Sequence, residues 1–368
     1  MAELFSPLEI GPLTLPNRIA VAPMCQYSAD DGSATDWHLQ HLMQLAYSGA
    51  GLVVVEATGV ERRGRITHGC LGLYSDANEA ALERVLSAAR RVALPGTAFG
   101  IQLAHAGRKA SAQRPWEGGG ALSGEQDPWP TVAPSALPFD TGWHTPEALD
   151  AAGMDRVEAA FVQAAQRAVR LGFDLLELHG AHGYLIHEFL SPLTNRRTDD
   201  YGGSLENRMR FPLRIARAVR AAVPAHVALG ARITGTDWVE EGFTVEDAGR
   251  FACELRDIGL QFVGVSSGGA VPHVRIPTGP NYQVPLAEQV RQKSGMVTRT
   301  VGMIVAPEQA EAIIAEGKAD QVALARAFLD DPRWGWHAAE ALGVELQLPR
   351  QYERAGKALW AGAQLIRH

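Results

Sequence analysis

The sequence predicts a (β/α)8 barrel of the TIM type, in the α/β class, with a long loop inserted after the third strand and a C-terminal tail. Short runs rich in Val, Ile and Leu alternate eight times with longer amphipathic segments, which is typical of parallel strands joined by helical crossovers. The first strand ends in Pro23, Met24 and Cys25 instead of the Gly-rich turn that opens a doubly wound dinucleotide-binding sheet. These observations favour a closed barrel over an open sheet.

The predicted elements alternate along the chain. The strands lie near residues 18–24, 52–57, 97–103, 174–179, 226–233, 262–266, 297–302 and 321–325. The helices lie near residues 39–48, 78–92, 155–171, 205–222, 245–258, 286–293, 307–316 and 333–342. Ser204 is a predicted N-cap with Glu206 in the first turn, and Thr244 and Pro307 mark two further helix starts. Pro212 is expected to bend its helix, because proline removes one hydrogen bond of the helix.

A barrel of this size forms one domain, so residues 1–368 are predicted to be a single domain. Residues 106–150 are rich in Gly, Pro and Trp and have no regular period, which predicts an active-site loop or lid. Residues 344–368 are predicted to form the tail.

The composition argues against several classes of function. Hydrophobic residues make up 46% of the 368 residues, enough for a large core, and the net charge of -7 argues against a nucleic-acid surface. No CxxC pair is formed by the three cysteines, Cys25, Cys70 and Cys253, so the sequence does not predict a structural zinc or iron–sulfur site. Their odd number indicates a reducing compartment. No signal peptide or transmembrane run is seen, so we expect a cytoplasmic protein that binds neither nucleic acid nor a membrane.

Polar residues follow the predicted strands at the ends where a barrel builds its mouth. In strand order, the residues at these ends are Pro23, Met24, Cys25 and Tyr27; Glu56 and Ala57; Gln102 and His105; His179, His182 and Tyr184; Arg232; Ser266 to Gly269; Gly302; and Arg326, and most of them are polar. Gly302, Ala325 and Arg326 follow strands seven and eight, where barrels commonly bind phosphate.

His179 and His182 allow three hypotheses: a structural pair, a metal pair completed by His187 or His105, and two N–H donors that bind one oxygen atom. A catalytic metal generally needs a third protein ligand, and the direction of the nearby Glu188 side chain is not fixed by the sequence, so metal binding is the less favoured of these. Two donors would stabilise charge on a carbonyl oxygen, and Tyr184 would supply a proton. Arg232 is either part of a salt bridge or a fixed cation beside an electron-rich group, and Cys25 is not predicted to be a nucleophile.

The chain resembles the Old Yellow Enzyme family of flavin-dependent ene-reductases, most of all the thermophilic-like subclass that includes xenobiotic reductase. The segments that carry the resemblance are LFSPLEIGPLTLPNRIAVAPMCQYSADDG, GIQLAHAGRKA, LHGAHGYLIHEFLSPLTNRRTDDYGGSLENRMRF and QYERAGKALW. They extend over nearly the whole chain, and the third is the longest and most specific.

The resemblance implies a tightly but non-covalently bound FMN across the barrel mouth. It implies that Pro23, Met24 and Cys25 line the ring edge, with Ala57 beside them. By the same resemblance, Gln102 would bind the pyrimidine side and Arg232 would face N1 and O2, while the phosphate would be held by Gly302, Ala325 and Arg326. A cation at Arg232 would favour the anionic reduced flavin.

The resemblance also implies a substrate class, namely α,β-unsaturated ketones and aldehydes, with nitro compounds as a further group. His179 and His182, helped by Tyr27, would bind the carbonyl oxygen. Hydride would pass from flavin N5 to the β-carbon, and Tyr184 would protonate the α-carbon from the opposite face. NADPH or NADH would first reduce the flavin in the same pocket, giving ping-pong turnover.

The tail departs most from the family pattern, because RAGKALW replaces the commoner RGW ending. Relatives send an Arg of a similar YER stretch into a neighbouring subunit, which would make Arg354 a substrate-site residue of a homodimer or dimer of dimers. Trp360 would have the matching aromatic role, and surface tail is the alternative for both.

Three other functions remain open from sequence: a dienoyl-CoA reductase type with an iron–sulfur cluster, a metal-dependent lyase or aldolase, and a non-catalytic flavin-binding protein. The scattered cysteines and the missing C-terminal domain argue against the first.

Overall fold

The computed structural model describes residues 2–355 and 359–365. Its eight central strands are β1 (Ile19–Val21), β2 (Leu52–Gly59), β3 (Ala98–Ala104), β4 (Leu175–Gly180), β5 (Ala228–Thr234), β6 (Phe262–Ser266), β7 (Val297–Thr300) and β8 (Gln321–Leu324). They pair in parallel in chain order, and β8 pairs with β1 to close the barrel. The predicted fold class is therefore confirmed.

Helices surround the barrel on the outside. They are α1 (Asp36–Ala46), α2 (Asp76–Val92), α3 (Ala151–Arg170), α4 (Leu185–Leu190), α5 (Leu205–Ala222), α6 (Val245–Ile258), α7 (Val284–Ser294), α8 (Pro307–Ala315), α9 (Arg326–Asp330) and α10 (Trp334–Ala341). The predicted caps are present, since the side chains of Ser204 and Thr244 accept hydrogen bonds from the backbone N–H groups of Asn207 and Asp247. Within the described residues no helix is long and apolar enough to span a membrane.

Two helices of the structure, α4 and α9, were not predicted. They are only six and five residues long, and each closely follows the end of a strand. Helix α5 is continuous through Pro212, whose side chain is buried, and the bend expected at this proline stays a prediction.

An N-terminal hairpin, also not predicted, closes the end of the barrel opposite the mouth. Its strands, Leu8–Ile10 and Leu13–Leu15, pair antiparallel across a Gly11-Pro12 turn. Leu8, Ile10 and Leu15 are buried in one cluster with residues at the starts of the barrel strands, including Leu52 and Phe262. The open end of the barrel is therefore the carboxyl end of its strands.

A polar network crosses the barrel interior below the mouth. Nη1 of Arg299 lies 2.8 Å from Oε2 of Glu177, and both side chains are almost fully buried. Nε of Arg299 donates to Gln321 at 2.7 Å, and Nε2 of Gln102 donates to Oε1 of Glu177 at 2.7 Å. The charge of Glu177 is thus balanced by Arg299.

Replacing Glu177 by Gln is expected to destabilise the fold by about 3–5 kcal/mol, because Arg299 would keep a buried charge without a counter-charge. Urea unfolding followed by circular dichroism measures this. The double variant Glu177→Gln/Arg299→Met should recover part of the loss. Strictly additive losses would show that the two groups are not coupled.

The inserted segment after β3 packs over the mouth. It consists of turns at Gly107–Lys109, Pro115–Glu117 and Gly124–Gln126 and of two short strands, Val132–Ala133 and Glu147–Ala148, that pair in parallel. The Arg108 guanidinium donates to the carbonyls of Leu137 and Pro138 within the segment, and its Nη2 also donates to the carbonyl of Ala270 after β6, which ties the segment to the barrel. The role of residues 106–150 as a lid stays a prediction.

Candidate active site

Strand register brings the predicted site residues of β4, β5 and β6 together. His179 of β4 is paired in register with Arg232 of β5. Ser266 ends β6, and its hydroxyl oxygen lies 3.2 Å from Nη2 of Arg232 and 2.6 Å from Nε2 of His182. Four polar side chains from three strand ends therefore form one continuous cluster at the mouth.

The two imidazoles of this cluster lie edge to face. The ring centroids of His179 and His182 are 5.1 Å apart at an interplanar angle of 85°, and Nε2 of His179 lies 3.4 Å from Nδ1 of His182. The backbone N–H of Ala181 donates to Nδ1 of His179 at 3.3 Å, which leaves the proton of a neutral His179 on Nε2. At least one N–H donor therefore points into the space between the rings.

Both imidazoles are neutral at physiological pH. Burial lowers the pKa of His179 and of His182 well below the ordinary value, and the nearby positive charge of Arg232 lowers both pKa values further. A cationic side chain, Lys109, acts in the same direction. Neutral rings offer one N–H donor each, which suits hydrogen bonding to a neutral carbonyl.

His187 and His105, the residues considered as further metal ligands, are engaged elsewhere. Nε2 of His187 lies 3.2 Å from Oδ1 of Asp237, and its Nδ1 accepts from the backbone of Gly183. Nε2 of His105 lies 2.8 Å from Oε1 of Glu61. Oε1 of Glu188, in turn, accepts the backbone N–H of Arg108. Among residues 2–355 and 359–365, no three His, Cys, Asp or Glu side chains gather to hold a metal ion.

The loop that carries His182 has an unusual backbone. His182 and Gly183 have φ angles of 60° and 70°. A Cβ atom on Gly183 would lie 1.9 Å from the carbonyl oxygen of Gly269, so only glycine allows this loop to meet the loop after β6. Lys109 holds the junction, because its Nζ donates to the carbonyls of His182 at 2.9 Å and Gly269 at 3.2 Å.

Lys109 was not among the site residues predicted from the sequence. It lies in the turn Gly107–Lys109, beyond His105, and its Nζ is 4.9 Å from the centroid of the Tyr184 ring. Burial lowers the pKa of Lys109 to about 8. The quoted segment GIQLAHAGRKA contained the residue, but spacing alone does not indicate that its side chain turns back to the mouth.

Tyr184 lies directly beside the imidazole pair. Its ring centroid is 5.0 Å from that of His179 at an interplanar angle of 82°. Burial raises the pKa of Tyr184 well above its ordinary value, and Cys25 and Tyr27 raise it further. The phenol is therefore protonated over the whole physiological range and is available as a proton donor.

The segment from Pro23 to Tyr27 is anchored from below by a buried carboxyl group. Oε1 of Glu56 accepts the backbone N–H of Gln26 at 3.2 Å and lies 3.3 Å from Nε2 of His38. Pro23 and Met24 lie beyond β1, which ends at Val21, so the predicted first strand was too long. This loop conformation places Pro23, Met24 and Cys25 at the mouth, just after the end of β1.

The Cys25 thiol is not a reactive thiolate. A hydrogen bond with Cys70 and burial both raise the pKa of Cys25 well above its ordinary value. Tyr27 has a φ angle of 52°, and its ring packs edge-on against Trp116 with centroids 5.8 Å apart. Ala57 is buried at the bulge of β2, where the register with β3 shifts. Cys25, Tyr27 and Ala57 thus form the side of the mouth built by the first two strands.

Arg232 and Gln102 have the chemistry that a flavin ring requires. Arg232 forms no ion pair within 4.0 Å among the described residues, and its hydrogen bond goes to Ser266. Burial lowers the pKa of Arg232, because it disfavours the charged guanidinium. An electron-rich group bound beside Arg232 would stabilise that charge. Because Nε2 of Gln102 donates to Glu177, the amide oxygen of Gln102 is left to accept a ring N–H such as N3–H of flavin.

The loops after β7 and β8 suit a phosphate group. Gly302 has a φ angle of 118°, and a Cβ atom there would lie 3.0 Å from Nε2 of Gln283, so the backbone forms an open cradle only with glycine. Ala325 and Arg326 follow the adjacent strand, and Arg326 is exposed with no ion pair among the residues the structure describes. Taken with Arg232 and Gln102, these residues fit FMN; their individual roles stay predictions.

The tail begins at the other end of the barrel. Tyr352 stacks on Tyr47 with ring centroids 6.0 Å apart, and the Arg333 guanidinium lies 4.7 Å from the Tyr352 ring. Tyr47 follows the end of α1, opposite the mouth. Arg354 is exposed and Trp360 is 44% exposed, and within the described chain neither forms a hydrogen bond, an ion pair or a ring contact with the mouth residues.

Known proteins resemble the chain over nearly its full length. The model of the NADH:flavin oxidoreductase / NADH oxidase family matches residues 3–345. An NADPH dehydrogenase of Geobacillus thermodenitrificans (strain NG80-2) is 42% identical over 353 residues, covering 95% of this chain and 98% of that protein.

Solved structures give the same relationship. Morphinone reductase is 31% identical with a TM-score of 0.75, covering 94% of this chain and 91% of that one, and a second structure holds it in complex with tetrahydroNAD. A 2-naphthoyl-CoA reductase complex is 25% identical with a TM-score of 0.80, covering 92% of this chain but only 52% of that one.

Fold and relatives together define a flavin-dependent oxidoreductase built on a closed (β/α)8 barrel. The chain belongs to the NADH:flavin oxidoreductase / NADH oxidase family, and its relationship to the Old Yellow Enzymes is confirmed. It is an oxidoreductase whose cofactors are FMN and a reduced nicotinamide.

Replacing Arg232 by Ala is expected to weaken FMN binding and to lower the two-electron midpoint potential by about 30–60 mV, since an unpaired cation stabilises the anionic reduced ring by about 1.4–3 kcal/mol. Equilibrium reduction against a reference dye gives the potential. Arg326→Ala is the control, with weaker binding but an unchanged potential. Unchanged affinity and potential for Arg232→Ala would contradict the role.

Proposed function

We propose that the protein reduces the activated C=C bond of α,β-unsaturated carbonyl compounds by a ping-pong mechanism. The observation that carries this proposal is the pair of neutral imidazoles, His179 and His182, with facing nitrogens 3.4 Å apart and a protonated Tyr184 beside them. An electron-poor alkene needs these two functions: donors for the carbonyl oxygen and an acid for the α-carbon.

His179 and His182 bind and polarise the carbonyl oxygen. Both rings are neutral, so each contributes an N–H donor without placing a full charge in the pocket. Charge that builds on the oxygen during reduction strengthens these hydrogen bonds, which is the condition for catalysis rather than mere binding. Tyr27 lies on the same side of the mouth as Cys25 and helps to position the substrate.

Tyr184 holds the proton that completes the reduction. Its raised pKa keeps the phenol neutral until the α-carbon becomes basic, and the imidazole of His179 fixes its position at a ring distance of 5.0 Å. FMN, when bound, would supply the hydride-transfer chemistry between NADPH or NADH and the β-carbon. Arg232, Gln102, Gly302, Ala325 and Arg326 would hold it, with Pro23, Met24, Cys25 and Ala57 at the ring edge.

Cyclic enones, small enals and nitroalkenes combine an activated C=C bond with an oxygen that the imidazole pair can bind, so they are the compounds to test first.

Isotope labelling tests the proposed reaction. Reduction of 2-cyclohexenone in D2O should place deuterium on the α-carbon of the saturated ketone, whereas NADPH deuterated at C4 should place it on the β-carbon. Mass spectrometry and NMR of the product distinguish the two positions. Formation of the allylic alcohol, or no turnover with any activated alkene, would contradict the proposal.

We further propose that Arg354 or Trp360 completes the mouth of a neighbouring subunit in a homodimer or dimer of dimers. The support is the position of Tyr352, two residues before Arg354, at the end of the barrel opposite its own mouth.

Mixing Tyr184→Phe chains with Trp360→Ala chains should restore activity, because one site of each mixed dimer would then contain both intact residues. Ultracentrifugation verifies that mixed species form. No recovery from mixed oligomers, or a fully active monomer at all concentrations, would contradict this arrangement.

A further inference from the structure

Ser266 occupies a central place in the polar cluster of the mouth. Its hydroxyl oxygen lies 2.6 Å from Nε2 of His182, 3.2 Å from Nη2 of Arg232 and 3.2 Å from Oε1 of Gln283. Ser266 is 3% exposed, and Gln283 is 4% exposed, so water does not compete freely for these contacts. One hydroxyl thus joins the imidazole pair to the cation at the flavin side.

The hydrogen atoms of this cluster can be assigned to two arrangements. Arg232 can only donate, so the Ser266 oxygen accepts from it, and the single Ser266 proton goes either to Gln283 or to His182. When it goes to Gln283, Nε2 of His182 carries the ring proton and donates to Ser266. Nδ1 of His182 is then an acceptor that faces the N–H of His179.

When the Ser266 proton points at His182, the ring proton moves to Nδ1. His179 carries its proton on Nε2, because its Nδ1 accepts from Ala181, so two N–H groups then face the same point. Without a ligand, two facing donors 3.4 Å apart repel each other, and the first arrangement is preferred. A carbonyl oxygen between the rings reverses this preference, because it accepts both hydrogen bonds.

We propose that Ser266 is a positioning residue whose hydroxyl rotates between Gln283 and His182 and thereby sets the tautomer of His182, so that both imidazoles donate to a substrate oxygen only when one is present. This inference rests on the proposed function of the imidazole pair. Ser266 touches neither the reacting atoms nor the proton of Tyr184. It acts through His182 alone.

The chain offers a matched control. Ser267 donates to the same Oε1 of Gln283 at 2.8 Å and is also buried, but has no hydrogen bond to His182 or Arg232 among the described residues. Ser267→Ala therefore removes one hydroxyl from the same network without changing the tautomer choice. Ser266→Thr keeps the hydroxyl, and threonine is favoured in strands. Comparing it with Ser266→Ala therefore separates the effect of losing the hydroxyl from the effect of changed packing.

Three measurements on the FMN-loaded enzyme test the inference: the rate of flavin reoxidation by 2-cyclohexenone, the rate of reoxidation by ferricyanide, and the dissociation constant of 4-nitrophenolate by calorimetry. Ser266→Ala should slow the enone step and weaken 4-nitrophenolate binding, each by about tenfold, because one donor to the ligand oxygen is lost. Ferricyanide needs no donors to a carbonyl oxygen, so the rate of reoxidation by ferricyanide in Ser266→Ala should stay within about twofold of the unaltered enzyme. In Ser267→Ala, all three quantities should stay within about twofold of the unaltered enzyme. Ser266→Thr should resemble the unaltered enzyme.

Equal behaviour of Ser266→Ala and Ser267→Ala would overturn the inference. Equal losses of reoxidation rate with enone and with ferricyanide would also overturn it, because they would indicate an effect on the flavin through Arg232. Failure of the proposed function is a different result: the unaltered enzyme would not reduce 2-cyclohexenone at all. Binding of 4-nitrophenolate would still distinguish the two serine variants in that case.

Discussion

Tyr184→Phe is expected to slow reoxidation of the reduced enzyme by 2-cyclohexenone by about 100- to 10,000-fold, the range that a positioned general acid contributes. Tyr184 is the only phenol whose ring contacts His179 among the described residues. Its raised pKa keeps the proton on the oxygen until the α-carbon accepts it. Phenylalanine preserves the ring and its packing and removes only the proton. Stopped-flow absorbance of the flavin measures the rate.

The reductive half-reaction provides the internal comparison for Tyr184→Phe. Reduction by NADPH requires no proton from Tyr184, so its rate should remain within about threefold of the unaltered enzyme. Tyr47→Phe, at the opposite end of the barrel, should change neither half-reaction. Unaltered enone turnover in Tyr184→Phe, or an equal loss in both half-reactions, would show that the phenol is not the acid.

His179→Ala is expected to lower kcat/KM for 2-cyclohexenone by about 100- to 1,000-fold, because removal of one preorganised donor to a developing oxyanion costs that much. The effect should exceed that of Ser266→Ala, since His179 itself would touch the substrate. His179→Gln keeps an N–H donor and should recover part of the loss. Steady-state kinetics over a range of enone concentrations measures kcat and KM separately.

His226 gives a control for the loss of an imidazole, because it is exposed in the loop before β5. His226→Ala should leave the kinetics unchanged. Flavin content must also stay the same in His179→Ala, since the residue is assigned to the substrate and not to FMN. A His179→Ala enzyme that reduces enones as fast as the unaltered protein would exclude the donor role.

The sequence predicted the barrel because its signals are local. Each strand is a short apolar run bounded by polar residues, and each helix has a stripe of apolar residues, so neither depends on distant contacts. The N-terminal hairpin was missed although Leu8, Ile10 and Leu15 alternate with polar positions. Its strands are only three residues long, and their burial depends on the barrel floor, which exists only in the folded chain.

The location of the site was predictable for a topological reason. Parallel strands of a closed barrel end at one rim, so residues at strand ends, such as His179, Arg232 and Ser266, are expected to lie together. The direction of each side chain was not predictable. That Lys109 turns back to the carbonyls of His182 and Gly269 depends on contacts between three separate loops.

The hydrogen bond between Ser266 and His182 could not be predicted for the same reason. The two residues are 84 positions apart, and their contact is created by the register of β4, β5 and β6 and by the close approach of Gly183 to Gly269. Gln102 was expected to face the flavin, but its bond to Glu177 and hence the free amide oxygen are visible only in the folded barrel.

The central claim is that a flavin at the barrel mouth reduces an activated alkene held by the imidazole pair. An anaerobic spectroscopic titration of the purified protein tests this claim most directly. The protein should be yellow, lose its visible absorbance on addition of one equivalent of NADPH or NADH, and regain it when 2-cyclohexenone is added without oxygen. A colourless protein that cannot be loaded with FMN, or a reduced flavin that no activated alkene reoxidises, would contradict this claim.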